Sequence, residues 1–110
     1  MELIRVYASS PASAVAGAIT GVILEYHEAE VQAVGADAAN QAFQAVALAA
    51  RYLKDDGILV TCAPEFQEVT VENKVRTAIR LVVKPAAGSK FSPKGFSAVS
   101  HGPEFAPVGA

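Results

Sequence analysis

From Lys74 to Lys84 the chain alternates with a period of two: Val75, Thr77, Ile79, Leu81 and Val83 fall on one side, with Arg76, Arg80 and Lys84 on the other. Successive side chains of an extended strand point to opposite faces, so the segment reads as a strand with one buried face and one cationic face. Such a strand needs a sheet to pair in and a second layer to cover its apolar side. The rest of the sequence has to supply both.

Three other stretches supply the sheet. Glu2 to Tyr7 sets Leu3, Arg5 and Tyr7 against Ile4 and Val6, and Glu30 to Gly35 sets Val31, Ala33 and Gly35 against Gln32 and Val34. After the turn signal Asp55 Asp56 Gly57, residues Ile58, Val60 and Cys62 alternate with Leu59 and Thr61. Pro64 has no N–H to donate to a ladder. It therefore places this strand at an edge or at a bulge, with pairing resuming from Phe66 to Val71. Glu72, Asn73 and Lys74 read as the hairpin turn into the last strand.

Two helices supply the covering layer. Ser10 and Pro11 suit an N-cap and a first helical position, and the helix should run to about His27 with Val15, Ile19, Val22 and Tyr26 as its core stripe. Gly17 and Gly21, four apart, leave room for close approach of another element. The second helix, with Asp37 as its expected cap, extends to about Leu53 along Ala39, Ala42, Val46, Ala49 and Leu53. Phe43, Ala47, Leu48 and Ala50 spread apolar surface further round it, so this helix or its neighbour is expected at a subunit interface. With 22 alanines, 14 valines and no tryptophan, the core must be small and β-branched. The order β-α-β-α-β-β gives a two-layer α/β sandwich, two helices on one face of a four-stranded mixed sheet, over residues 1–85. Residues 86–110, rich in Gly, Pro and Ser, read as a tail or arm.

Composition excludes several function classes. Cys62 is the single cysteine, so no internal disulfide framework or multi-cysteine metal site is open to the chain. His27 and His101 lack metal-ligand spacing, and no metal or cofactor is expected. No Ser-His-Asp or Cys-His grouping is present, and Glu65, Glu68 and Glu72 read as exposed hairpin residues rather than an acid/base pair. We expect no catalysis and no small-molecule substrate. No apolar run approaches the roughly 20 residues of a bilayer crossing, and the first residues lack a secretory pattern, which makes a cytoplasmic, non-membrane protein the expectation.

Charge is divided along the chain. Residues 1–73 carry a net −7, and residues 74–94 carry six basic residues and no acid. Asymmetry of this kind points to polyanion contact, or to basic and acidic parts of one domain facing each other. The candidate phosphate-binding residues are Lys74, Arg76, Arg80, Lys84, Lys90 and Lys94. Phe91 and Phe96, interleaved with the last two lysines, have the composition of a stacking platform for single strands, or of a tail that fills grooves on a partner subunit. Asn40, Gln41 and Gln44 on the second helix offer amides to a nucleic acid or to one another across an interface.

Several segments taken together resemble one known family. They are Met1 to Val6, Ser13 to Ala18, Ala29 to Ala36 continuing through Asn40 Gln41 Ala42 and Ala45 to Ala49, and Arg76 to Val83. The chain is similar over about residues 1–85 to the stage V sporulation protein S family, whose fold is Alba-like. That resemblance implies a homo-dimer or tetramer that binds DNA or RNA and regulates development or gene expression. This chain departs from the family pattern at two places: Ala8 Ser9 Ser10 Pro11 carries no lysine in the first loop, and Gln44 stands where relatives tend to have a lysine. The alternative expectation is an oligomeric protein-interaction module on the same scaffold that has lost nucleic-acid binding.

Overall fold

A computed structural model describes residues 2–87 and Ser89. The first strand, β1 (Glu2–Val6), leads into helix α1 (Ala12–Tyr26), which returns the chain to β2 (Ala29–Val34), paired parallel to β1. Helix α2 (Ala36–Asp55) then crosses to β3 (Val60–Val71), and a tight turn reverses the chain into β4 (Lys74–Pro85). The sheet order is β1-β2-β4-β3, with β4 antiparallel to both of its neighbours. The second crossover therefore skips one place, and β4 fills it. The result is the expected two-layer α/β sandwich with a four-stranded mixed sheet.

Pairing runs from Val60 opposite Pro85 to Val71 opposite Lys74 without a break. Pro64 does not interrupt the strand as expected. β3 is an edge strand, so the missing proline N–H costs no ladder bond on an outward side. Glu72 and Asn73 both take positive φ, 52° and 64°, the signature of a two-residue type I′ turn whose twist matches that of the flanking strands.

Helix starts differ from the sequence expectation in one physical respect. Neither helix has a side-chain cap, since the N-cap positions are Pro11 and Gly35. The Ser10 hydroxyl instead accepts the Tyr7 backbone N–H at 2.8 Å, and the Ser10 N–H donates to the Tyr7 carbonyl at 2.9 Å, closing the turn after β1. Asp37 lies in the first turn of α2, where its charge complements the helix dipole without capping.

Core residues come from both layers. Ile19 and Ile23 of α1, Leu53 of α2, Ile58, Val31, Leu81 and Val83 are the largest fully buried side chains. Each such burial stabilises the fold by about 1.5–3 kcal/mol relative to exposure. Ala16, Ala42, Ala45 and Ala49 are among the small side chains buried with them, and α1 packs directly on α2. The buried stripe of α1 is Val15, Ala16, Ile19 and Ile23, with Val22 only partly covered and Tyr26 exposed at 48%. A stripe drawn through Tyr26 had drifted off the face that meets the sheet. The core of the described residues holds no aromatic side chain, and Phe43 and Phe66 both stand out in solvent.

Candidate functional site

Both helices lie on the side of Val31, Leu81 and Val83, which leaves the opposite face of the sheet without a covering layer among the described residues. Register places Arg5, Gln32, Arg80 and Glu65 in one row across that open face. Leu3, Glu30, Val82 and Ala63 form the adjacent row. Alternation along β4 puts Lys74, Arg76 and Lys84 on the same side as Arg80. The open face thus carries five cations against Glu30 and Glu65.

Arg80 is not free. Its Nε donates to Glu30 Oε2, and its Nη1 lies 3.0 Å from Glu65 Oε2. The hydrogen bond to Glu30, followed by the attraction of both carboxylates, holds its guanidinium above its ordinary pKa. One cation that reads in sequence as a phosphate contact is therefore spent joining β2, β4 and β3 across the sheet. Beside it, the Gln32 Nε2 donates to Gln67 Oε1 at 2.9 Å, a second tie between β2 and β3 across β4. The sequence offers no signal for either tie, because Glu30, Glu65 and Arg80 meet only through strand register.

Lys74, Arg76 and Lys84, with Arg5 from β1, make no ion pair or side-chain hydrogen bond among the described residues. They are exposed and remain available for an anion. Lys90, Phe91, Lys94 and Phe96 lie outside the described residues. The amides of α2 divide: the Gln41 Nε2 donates to the Ser10 carbonyl at 2.8 Å and ties α2 to the loop after β1, while Asn40 and Gln44 are exposed.

The last four pairs of the hairpin extend past the sheet. Residues 74–77 pair with β3 alone, while Ala78–Val83 also pair with β2. The ribbon curls over the open face, because Val69 and Val71 line a cavity of about 320 Å³ together with Arg5, Tyr7, Gln32 and Val34. Arg5 of β1 and Tyr7, the residue just after that strand, carry no functional motif in the sequence. Their only signal was their shared parity, which places both on the face without helices.

Among the described residues no helix is long and apolar enough to cross a membrane, and no group of three or more His, Cys, Asp or Glu is placed to hold a metal ion. A protein-family model described as stage V sporulation protein S matches residues 2–86.

Proposed function

Because this chain belongs to the stage V sporulation protein S family, and is by that membership a sporulation-related protein, we propose that it is a non-catalytic regulator that binds nucleic acid on the helix-free face of its sheet. The single observation that carries the reading is the segregation of charge by layer. Arg5, Lys74, Arg76 and Lys84 stand on the open face with no ion-pair partner among the described residues, while the helix layer and its loops carry Glu25, Glu28, Asp37, Asp55 and Asp56 against Arg51 and Lys54. Cations laid along one surface neutralise phosphates and release condensed counterions. Arg80 serves that surface by neutralising the two carboxylates that would repel a phosphate backbone. Lys90 and Lys94 join the set from beyond the described residues.

The test is fluorescence anisotropy of labelled DNA and RNA at several salt concentrations. The four cations of the sheet face alone give a log–log salt slope of about −3 to −4, and Lys90 and Lys94 steepen it to about −4 to −5. Arg76→Gln and Lys84→Gln each reduce that slope by about 1. A wild-type protein that binds no oligonucleotide at low salt would sink the proposal in favour of a protein-interaction module.

A specific observation supports assembly with further copies of the chain. Leu24, Tyr26, Phe43 and Tyr52 are exposed on the helices, and α1 carries Glu25 as its one charged residue. A homo-dimer or tetramer formed through this layer leaves the cationic sheet faces outward.

A further inference from the structure

The cavity under the curled hairpin differs from the rest of the open face. Three valines, Val34, Val69 and Val71, line it together with Thr70 of the hairpin and with three polar residues of the β1 and β2 side, Arg5, Tyr7 and Gln32. Arg5 has no partner among the described residues, although Arg80 two strands away holds two carboxylates. Tyr7 is 62% exposed, so its ring offers a face to a ligand rather than to the core. The Gln32 Nε2 is engaged by Gln67, which orients the amide and leaves its Oε1 as an acceptor.

We propose that this cavity seats one nucleotide of a single strand, with the base stacked on Tyr7 between the valine walls and the adjoining phosphate on Arg5. The proposal rests on the nucleic-acid reading above and assigns it a strand preference. A cavity of about 320 Å³ lies at the small end of ligand pockets. An apolar slot beside an unpaired guanidinium matches a group that is flat and apolar on its faces and anionic at one end. A duplex keeps its bases stacked on one another and cannot place one there without flipping it out. Lys74 and Arg76, on the same face of the hairpin beside Val71 and Val69, continue the cationic track to the neighbouring phosphates.

The experiment compares a labelled single-stranded 12-mer of RNA, the same sequence as DNA, and the DNA duplex, binding to the full chain. Wild type, Tyr7→Ala, Tyr7→Phe and Arg76→Gln are measured, each with a thermal melt to establish folding. The expected result is single strands bound more tightly than duplex. Tyr7→Ala lowers single-strand affinity about tenfold, as loss of one base–aromatic stack does, and leaves duplex affinity within about twofold. Tyr7→Phe keeps the wild-type preference, while Arg76→Gln weakens all three ligands together. RNA and DNA arms that respond alike to Tyr7→Ala place recognition on base and phosphate rather than sugar. Single-strand binding that is unchanged in a folded Tyr7→Ala variant overturns the cavity assignment and leaves the cationic face standing. Absence of binding by wild type to every oligonucleotide overturns both.

Discussion

At the scale of single residues, the most informative side chain is Arg80, because its environment separates two roles that look identical in sequence. Arg76 and Arg80 alternate on the same strand face, yet among the described residues only Arg80 meets carboxylates, Glu30 from β2 and Glu65 from β3. Removing it leaves those two charges uncompensated beside each other. Arg80→Gln is expected to lower the thermal midpoint while keeping the wild-type salt slope of nucleic-acid binding, and Arg76→Gln to do the reverse. A salt slope that falls by about 1 in Arg80→Gln would show that its guanidinium reaches a phosphate after all. Cys62 gives a second prediction at this scale. Partial burial pushes its thiol pKa up, which reduces the thiolate that reacts with alkylating agents. Alkylation at pH 7.5 should run slower than for the unfolded chain, and the two rates should converge in denaturant. The linkage sign follows: a thiol held neutral in the fold stabilises fully below its unfolded pKa, and that contribution is lost as pH rises through the folded value.

Secondary-structure elements show which parts of the fold were legible and why. Period-two alternation located all four strands, and along β4 it set Leu81 and Val83 on the apolar face that the structure buries, because the register of a half-buried strand leaves no other choice. What alternation could not convey is how far a strand outruns its covering layer. Val75 continues the apolar side of β4 in sequence, yet is 68% exposed, because the ribbon at 74–77 has passed both β2 and the helices. The same limit concealed the cavity, which exists only because the hairpin bends back toward β1. Caps were misplaced for a local reason: Ser10 had a nearer partner in the Tyr7 N–H than any helix donor. The α2 start depends on backbone shape instead. Gly35 has φ 96° and ψ 159°, a region that side chains rarely enter. Gly35→Ala should therefore destabilise by about 1–3 kcal/mol in urea melts, although a Cβ there would meet nothing within 4 Å. Glu72→Asn, at the first positive-φ position of the hairpin, should stabilise by about 0.5–1 kcal/mol, since asparagine tolerates that conformation better. A loss of stability there would mean that the Glu72 side chain contributes a contact of its own.

For the whole molecule, the two faces pose different questions: the sheet face is charged, and α1 carries Glu25 as its one charged residue. Gly17 and Gly21 were expected to admit a close neighbour, and within the described chain a Cβ at either would meet nothing within 4 Å. Glycine in the middle of an exposed helix costs about 1 kcal/mol relative to alanine, so an isolated chain has no use for either residue. Close approach by another copy is what would use the space. The double variant Gly17→Ala/Gly21→Ala separates these cases when light scattering and thermal melts are run over a range of protein concentrations. For the proposed assembly through the helix layer, wild type is a dimer or tetramer whose melting temperature rises with concentration, and the variant shifts toward the monomer because two methyl groups hold the helices apart. A wild type that stays monomeric, together with a variant that melts higher by the helix-propensity gain, would remove the helix layer from the interface and leave the sheet face as the surface of the described residues that meets a partner.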